Sequence, residues 1–234
     1  MTIELFREDG YLQRCEATVL DLADSAFSTD RTVFYPMGGG QPGDTGHAVR
    51  KSGERIRVID TRKAPGQDRI LHIVEDGAAL PGMGEVLTLQ IDWDRRYRLM
   101  RMHSCMHMLC AAVPAPVTGG SIRDGSGRLD FDLPDPPSRE DLERRLNGII
   151  EGNHPMSFIW ITDEEMKERP ELVKTMSVRP PVGSGRVRLV RFGDADLQAC
   201  GGTHVANSGE IGPVRVESIK NKGKQNRRIT IEFA

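Results

Sequence analysis

Aromatic side chains are scarce in this sequence, only 5% of 234 residues. Any core must therefore be aliphatic. Cysteine is scarce too. Cys15, Cys105, Cys110 and Cys200 are scattered without a scaffold-like spacing, which excludes a disulfide-stapled mini-domain. No charge of one sign dominates. The 32 basic and 34 acidic residues leave a net charge of −2, so the whole-molecule field predicts no nucleic-acid partner and any basic footprint must be local. No run approaches the roughly 18 apolar residues of a membrane span. The start, Met1 to Asp9, is acidic and lacks the layout of a signal peptide. A cytoplasmic location with no membrane partner is the expectation.

What is present divides the chain near Asp92. Before it, short runs at 15–21, 32–35, 54–60, 69–75 and 85–91 read as strands. Clusters of Gly, Pro and Asp separate them. That spacing predicts a small antiparallel β-barrel over residues 1–91. After it, Leu99, Met102, Met106 and Leu109 recur at helical steps over 94–112, and Pro114 and Pro116 stop that helix. Ser138 with Asp141 marks a second helix start, and Thr162 with Glu165 a third. Strands return at 186–192, 213–219 and 229–233. Residues 92–234 thus read as an α+β domain with helices packed on an antiparallel sheet. The fold class is α+β overall.

The residues that carry chemistry are His103-x3-His107 and Cys200-Gly-Gly-Thr-His204. Four residues apart on a helix, His103 and His107 share a face. Three imidazoles and a thiolate are a donor set that zinc accepts and that magnesium or calcium does not. Four protein ligands would close a structural site, whereas three plus water make a catalytic one, and the sequence leaves both open. Ser104 stands where the Glu of a His-Glu-x-x-His peptidase would be, so peptidase chemistry is disfavoured. Cys105 and Cys110, in the apolar helix, read as small buried hydrophobes.

Two further stretches stand out. Gly38-Gly39-Gly40-Gln41-Pro42-Gly43 reads as a turn between barrel strands, with more glycine than a hairpin needs and room for a ligand near bare backbone. The run 220–228 holds Lys220, Lys222, Lys224, Arg227 and Arg228, a hairpin tip or a phosphate-contact surface. Arg95, Arg96, Arg98 and Arg101 form a second cluster beside the histidines, which together suggest a polyanion whose end reaches the metal.

Taken together, His103-x3-His107, Cys200-Gly-Gly-Thr-His204, the Gly-Gly-Gly-Gln-Pro-x-Asp-x-Gly loop at 38–46 and Gly223-Lys224-x-Asn226-Arg227-Arg228 resemble the free-standing alanyl-tRNA editing proteins, in their medium-length form. The resemblance runs from about Thr18 to the C-terminus. It departs from many relatives at Ser104, where they carry Thr, and at Thr118-Gly119, where they carry Gln-Lys; Ser121 is retained. It implies a β-barrel-like domain followed by an α+β editing domain. It implies one zinc ion on His103, His107, Cys200 and His204, an amino-acid pocket with Thr32, Gly39, Gly40, Gln41 and Ser121, and acceptor-stem contacts from Lys220, Lys222, Lys224, Arg227 and Arg228. The implied substrate is tRNA(Ala) mischarged with serine or glycine. A zinc-bound water brought toward a pKa of about 7 would attack the ester, or zinc would only position the amino acid or a water with a ribose hydroxyl assisting, and the sequence leaves both open. The rival readings are an RNA-binding module with structural zinc and a deacylase of another mischarged tRNA.

Overall fold

The computed structural model describes residues 1–66, 68–174 and 185–234. The chain forms two compact units, Met1–Tyr97 and Arg98–Ala234.

The first unit contains β1 (Ile3–Glu4), β2 (Arg14–Ala23), β3 (Ala26–Thr29), β4 (Arg31–Thr32), β5 (Gly46–Val49), β6 (Arg55–Lys63), β7 (Ile70–Val74) and β8 (Val86–Ile91). Six of these close a barrel in the order β2-β3-β7-β6-β5-β8, every pair antiparallel, while β1 and β4 pair in parallel outside it. Closure removes the free edges that short strands would otherwise expose. Alternation fills the interior: Ala17 and Val19, Ile56 and Val58, Leu87, Leu89 and Ile91 all point inward, with Phe27 and Phe34 among them. The run 32–35 is a strand only at Thr32. Val33, Phe34 and Tyr35 are buried, but the chain bends, and the Tyr35 N–H donates to the Asp44 carboxylate at 2.6 Å instead of to a neighbouring strand.

One buried polar group in this barrel sets its pH tolerance. His72 is fully buried, stacked on Phe27 at 4.9 Å and edge-on to Phe34 at 5.2 Å. Its Nδ1–H donates to the Phe27 carbonyl at 3.3 Å, and its Nε2 accepts from the Thr32 hydroxyl at 2.8 Å. Burial pulls its pKa down from 6.5 to about 4. The unfolded chain therefore binds this proton first, and the contribution of His72 to stability is lost as pH falls from about 6.5 toward 4. At 1.36 kcal/mol per unit the loss approaches about 3 kcal/mol. Urea midpoints at pH 7 and pH 4.5 should show it, and His72→Gln should flatten the difference. A variant with the wild-type pH dependence would assign it to other groups.

Helix α1 (Trp93–Ala112) begins in the first unit and continues in the second. The second unit then holds β9 (Val117–Arg123), β10 (Ser126–Asp132), α2 (Arg139–Glu151), β11 (Met156–Thr162), α3 (Asp163–Glu168), β12 (Arg186–Phe192), β13 (Asp196–Ala199), β14 (Val214–Asn221) and β15 (Asn226–Phe233). The caps read in the sequence are in place: the Ser138 hydroxyl accepts the Asp141 N–H, and Thr162 with Glu165 closes a reciprocal capping box. Pro170 ends α3 and opens a short 3-10 turn. Among the described residues the expected single sheet is two, β14-β15-β10-β9 and β11-β12-β13. Strands β9, β10, β11 and β13 lay outside the expected set. Gly119 and Gly120 lie in ladder with β10, opposite Asp130 and Leu129, and the register skips Thr118, which forms a bulge.

Candidate metal centre

Leu99, Met100, Met102, Met106 and Leu109 of helix α1 are buried, and His103, Ser104 and His107 are buried with them. Arg101 holds this part of the helix by donating twice to the Ile211 carbonyl, at 3.0 and 2.7 Å. The other half of the site comes from the end of β13. Asp196, Gln198 and Cys200 are two residues apart, so an extended chain sends all three to one side. Two glycines then let the chain fold back, and His204 returns to the same point. The Cys200 N–H donates to the Arg188 carbonyl at 3.2 Å, and Arg188 Nε donates to the Cys200 carbonyl at 3.0 Å. These bonds fix the loop to β12.

The one ligand atom from each of His103, His107, Cys200 and His204 lies within 4.8 Å of the other three. Cys200 Sγ is 3.4 Å from His103 Nε2 and 3.3 Å from His204 Nε2. Zinc bonds of about 2.0–2.3 Å at tetrahedral angles put neighbouring donors roughly 3.3–3.6 Å apart. The donor chemistry fits zinc, and the two separations from Cys200 Sγ to His103 and His204 match its bond geometry. The three imidazoles are buried, and Cys200 as a whole residue is half-buried.

The surroundings prepare each donor. Burial alone would push the Cys200 thiol up, but the charge of His103 and hydrogen bonds from His103 and His107 hold it well below its ordinary value. That favours the thiolate, the form that binds metal. Burial is also the main reason His204 is held well below its ordinary value, as a neutral imidazole. Its Nδ1 faces the Ser104 hydroxyl at 3.3 Å, and Ser104 in turn accepts the Val205 N–H at 3.2 Å. This leaves Nε2 for the metal. For His107 burial pulls the pKa down, but Asp196 and Cys200 outweigh it and raise it to about 9. Its Nδ1 is 2.8 Å from Asp196 Oδ2, the carboxylate–histidine arrangement that orients a metal-binding imidazole. Asp196 is itself fixed, accepting from Gln198 Nε2 at 2.8 Å and from Lys174 Nζ at 2.5 Å.

Asp196→Asn should therefore weaken metal binding by roughly 10- to 100-fold, the usual cost of losing such a support. Competition with a chromophoric chelator measures this directly. Unchanged affinity would reduce Asp196 to a packing role. Asp196, Gln198, Lys174 and Ser104 are the site residues that sequence reading passed over. The alternation Asp196-x-Gln198-x-Cys200 was the available signal.

The other candidate residues fall in several places. In the first unit, Thr32 is fully buried, and its hydroxyl is engaged twice, donating to His72 and accepting the Phe34 N–H at 3.0 Å. Gly39 and Gly40 are the exposed centre of a tight turn. Both have positive φ, 57° and 82°, and Gly38 and Gln41 exchange backbone hydrogen bonds at 3.1 and 2.9 Å. Gln41 is fully buried behind them. Gly43 is required by contact, since a Cβ there would lie 2.2 Å from the Thr61 carbonyl.

In the second unit, Ser121 is half-buried on β9, opposite Arg128. Lys220, Lys222 and Lys224 are exposed on the β14–β15 hairpin. Arg228 is held by Asp130 through two bonds of 2.7 Å, and Arg227 donates to Asn221, Gly223 and Pro134. The arginines expected as a second polyanion footprint all have partners within the fold. Arg95 donates to the Gly43 carbonyl, Arg96 is buried against Asp44, Arg98 grips Asp124 with both nitrogens, and Arg101 lies over Phe233 while holding Ile211. Arg96 is buried, whereas the Arg98–Asp124 pair lies on the surface.

Comparison with known proteins now decides the family. The chain is 36% identical to the alanyl-tRNA editing protein AlaX-M of Methanosarcina acetivorans, over 98% of both chains. The AlaX-M protein of Saccharolobus solfataricus is 34% identical over 98% of each. The chain belongs to the alanyl-tRNA editing proteins. These are deacylases, so it is an enzyme of that class. The alanine–tRNA ligase of Aeropyrum pernix is 35% identical over 93% of this chain, which spans only 24% of that much longer protein. Two family profiles agree with this assignment. The threonyl and alanyl tRNA synthetase second additional domain matches residues 187–230, which include Cys200 and His204, and the class II (A) tRNA synthetase profile matches residues 11–95. Among the described residues no helix is long and apolar enough to cross a membrane.

Proposed function

We propose that this editing protein hydrolyses the ester of tRNA(Ala) wrongly charged with serine, and with glycine as a second substrate, at a zinc ion held by His103, His107, Cys200 and His204. The observation that carries the reading is the buried set of three imidazoles and a thiolate with all ligand atoms within 4.8 Å. A bound zinc would supply Lewis acidity toward the ester carbonyl. The chain's own residues do the rest. Asp196 and Ser104 engage the Nδ1 atoms of His107 and His204 and so orient each ring with Nε2 toward the metal. In this reading residues 1–91 supply the amino-acid-binding loop and residues 92–234 the editing domain, working on cytoplasmic tRNA.

The selectivity has a physical basis. A synthetase pocket shaped for a methyl group rejects an added hydroxyl poorly. A second site that hydrogen-bonds that hydroxyl rejects alanine well, because alanine leaves its polar groups unpaired. Gln41, the backbone of Gly39 and Gly40, and Ser121 are the proposed contacts. Thr32, also proposed as a substrate contact, has its hydroxyl engaged by His72 and the Phe34 N–H. The test is hydrolysis of Ser-, Gly- and Ala-tRNA(Ala) side by side, with and without chelator. Metal-dependent loss of serine with alanine spared upholds the proposal; equal cleavage of all three, or none, rejects it.

The hairpin lysines are the proposed acceptor-stem contacts, because Arg227 and Arg228 already have protein partners. Exchanging Lys220, Lys222 and Lys224 for glutamine should weaken tRNA binding at low salt and lower the slope of log K against log salt by roughly 0.7–0.9 for each phosphate no longer neutralised. An unchanged slope would place the phosphates elsewhere.

A further inference from the structure

One face of the β11-β12-β13 sheet leads from the metal centre toward solvent. Asp196 and Gln198 occupy it on β13, with Cys200 just beyond. On β12, Phe192 lies edge-on to His107 and His204, each at 5.9 Å. Arg188, on the same face, is buried; it donates to the Cys200 and Gly202 carbonyls, and its guanidinium lies 4.5 Å over the Phe158 ring. The register pairs Phe158 with Val190 and Trp160 with Arg188. The outermost member is Trp160, 40% exposed, with the Arg186 guanidinium 4.4 Å from its ring centre. The opposite face of these strands is the core formed by Ile161, Met166, Leu172, Val187 and Leu189. That core does not use Trp160. Two strand spacings of about 4.8 Å separate β13 from β11, so the exposed indole stands roughly 10 Å from the strand that delivers Cys200.

Aromatic and guanidinium planes set together, one for base faces and one for phosphate charge, are how proteins hold single-stranded nucleic acid. We propose that Trp160 and Arg186 form a stacking platform for the unpaired nucleotides next to the aminoacylated 3′ adenosine. This deepens the functional reading above and rests on it. The platform takes bases without demanding their identity, and it holds the strand so that the terminal ester reaches the metal. Arg188 links the two, since it backs Phe158 and pins the loop that carries Cys200 and His204.

The experiment uses the full chain. Trp93 and Trp160 are its two tryptophans, so Trp93→Phe leaves Trp160 as the sole reporter. An uncharged acceptor-stem minihelix with its unpaired 3′ nucleotides should quench this fluorescence, and the same minihelix trimmed of them, or with abasic sites in their place, should not. Trp160→Ala should raise the Kd for the intact minihelix roughly 5- to 100-fold, the loss expected for one base–aromatic stack. Trp160→Phe should keep most of the affinity, and zinc content and circular dichroism check that the variants are folded. Absence of quenching, or equal Kd for Trp160→Ala and wild type, overturns the platform and leaves a pair that merely braces an edge strand. If the wild type hydrolyses Ser-tRNA(Ala) while Trp160→Ala binds normally, only this inference falls. A wild type that neither hydrolyses charged tRNA(Ala) nor binds the minihelix removes both.

Discussion

Cys200→Ala should lower kcat/KM for Ser-tRNA(Ala) by more than about 100-fold. Loss of a group that only supports a metal ligand costs roughly 10- to 100-fold, and loss of the ligand itself should exceed that. The thiolate is the sole anionic donor of the set. Without it three neutral imidazoles remain, and a harder, weaker site results. The change removes a single sulfur atom, so it leaves little new cavity in the core. The same variant separates two roles for the metal. If zinc acts on the ester, the protein stays folded, loses metal by elemental analysis and loses activity. If zinc only holds the fold, the far-ultraviolet spectrum and the melting transition collapse along with it. Activity within tenfold of wild type would remove the cluster from the reaction altogether.

The ligand quartet was legible in the sequence because its signal is chemical and local. Imidazole and thiolate are rare, and each pair carries its own spacing. The supports were not legible for the opposite reason. Asp196 meets His107 across 89 residues, and nothing in a strand sequence marks one carboxylate as a partner and another as solvated. The arginines show the same limit from the other side. Arg95, Arg96, Arg98 and Arg101 looked like a footprint for phosphate because their partners, from Asp44 to Ile211, are far away in sequence. The barrel was legible where alternation was clear, as in Leu87-Thr88-Leu89-Gln90-Ile91. It was opaque at β3 and β5, which are only four residues long. The Gly-rich loop was read for its freedom, and part of its glycine content answers to the fold: Gly39 and Gly40 turn the chain, and Gly43 lets it pass against the Thr61 carbonyl.

That loop is anchored by an ion pair, and breaking the pair should give the largest loss of stability. Arg96 and Asp44 have side-chain exposures of 0% and 1%. The guanidinium contacts both carboxylate oxygens through Nε at 3.0 and 2.9 Å, and it also donates to the Gly10 and Val33 carbonyls. Asp44 accepts the Tyr35 N–H as well, so it ties the end of the Gly-rich loop to the stretch that enters it. Asp44→Ala would leave a guanidinium buried with carbonyls alone for partners. Such a loss costs about 3–5 kcal/mol. For a unit of this size that is a fall of at least roughly 10 °C in Tm. Pairing the change with Arg96→Met should recover part of the loss, because removing both charges removes the uncompensated one. Urea unfolding of the two variants beside wild type reads both effects. A loss below about 1 kcal/mol in Asp44→Ala would mean that water reaches Arg96 and that the loop is held by its backbone turns instead.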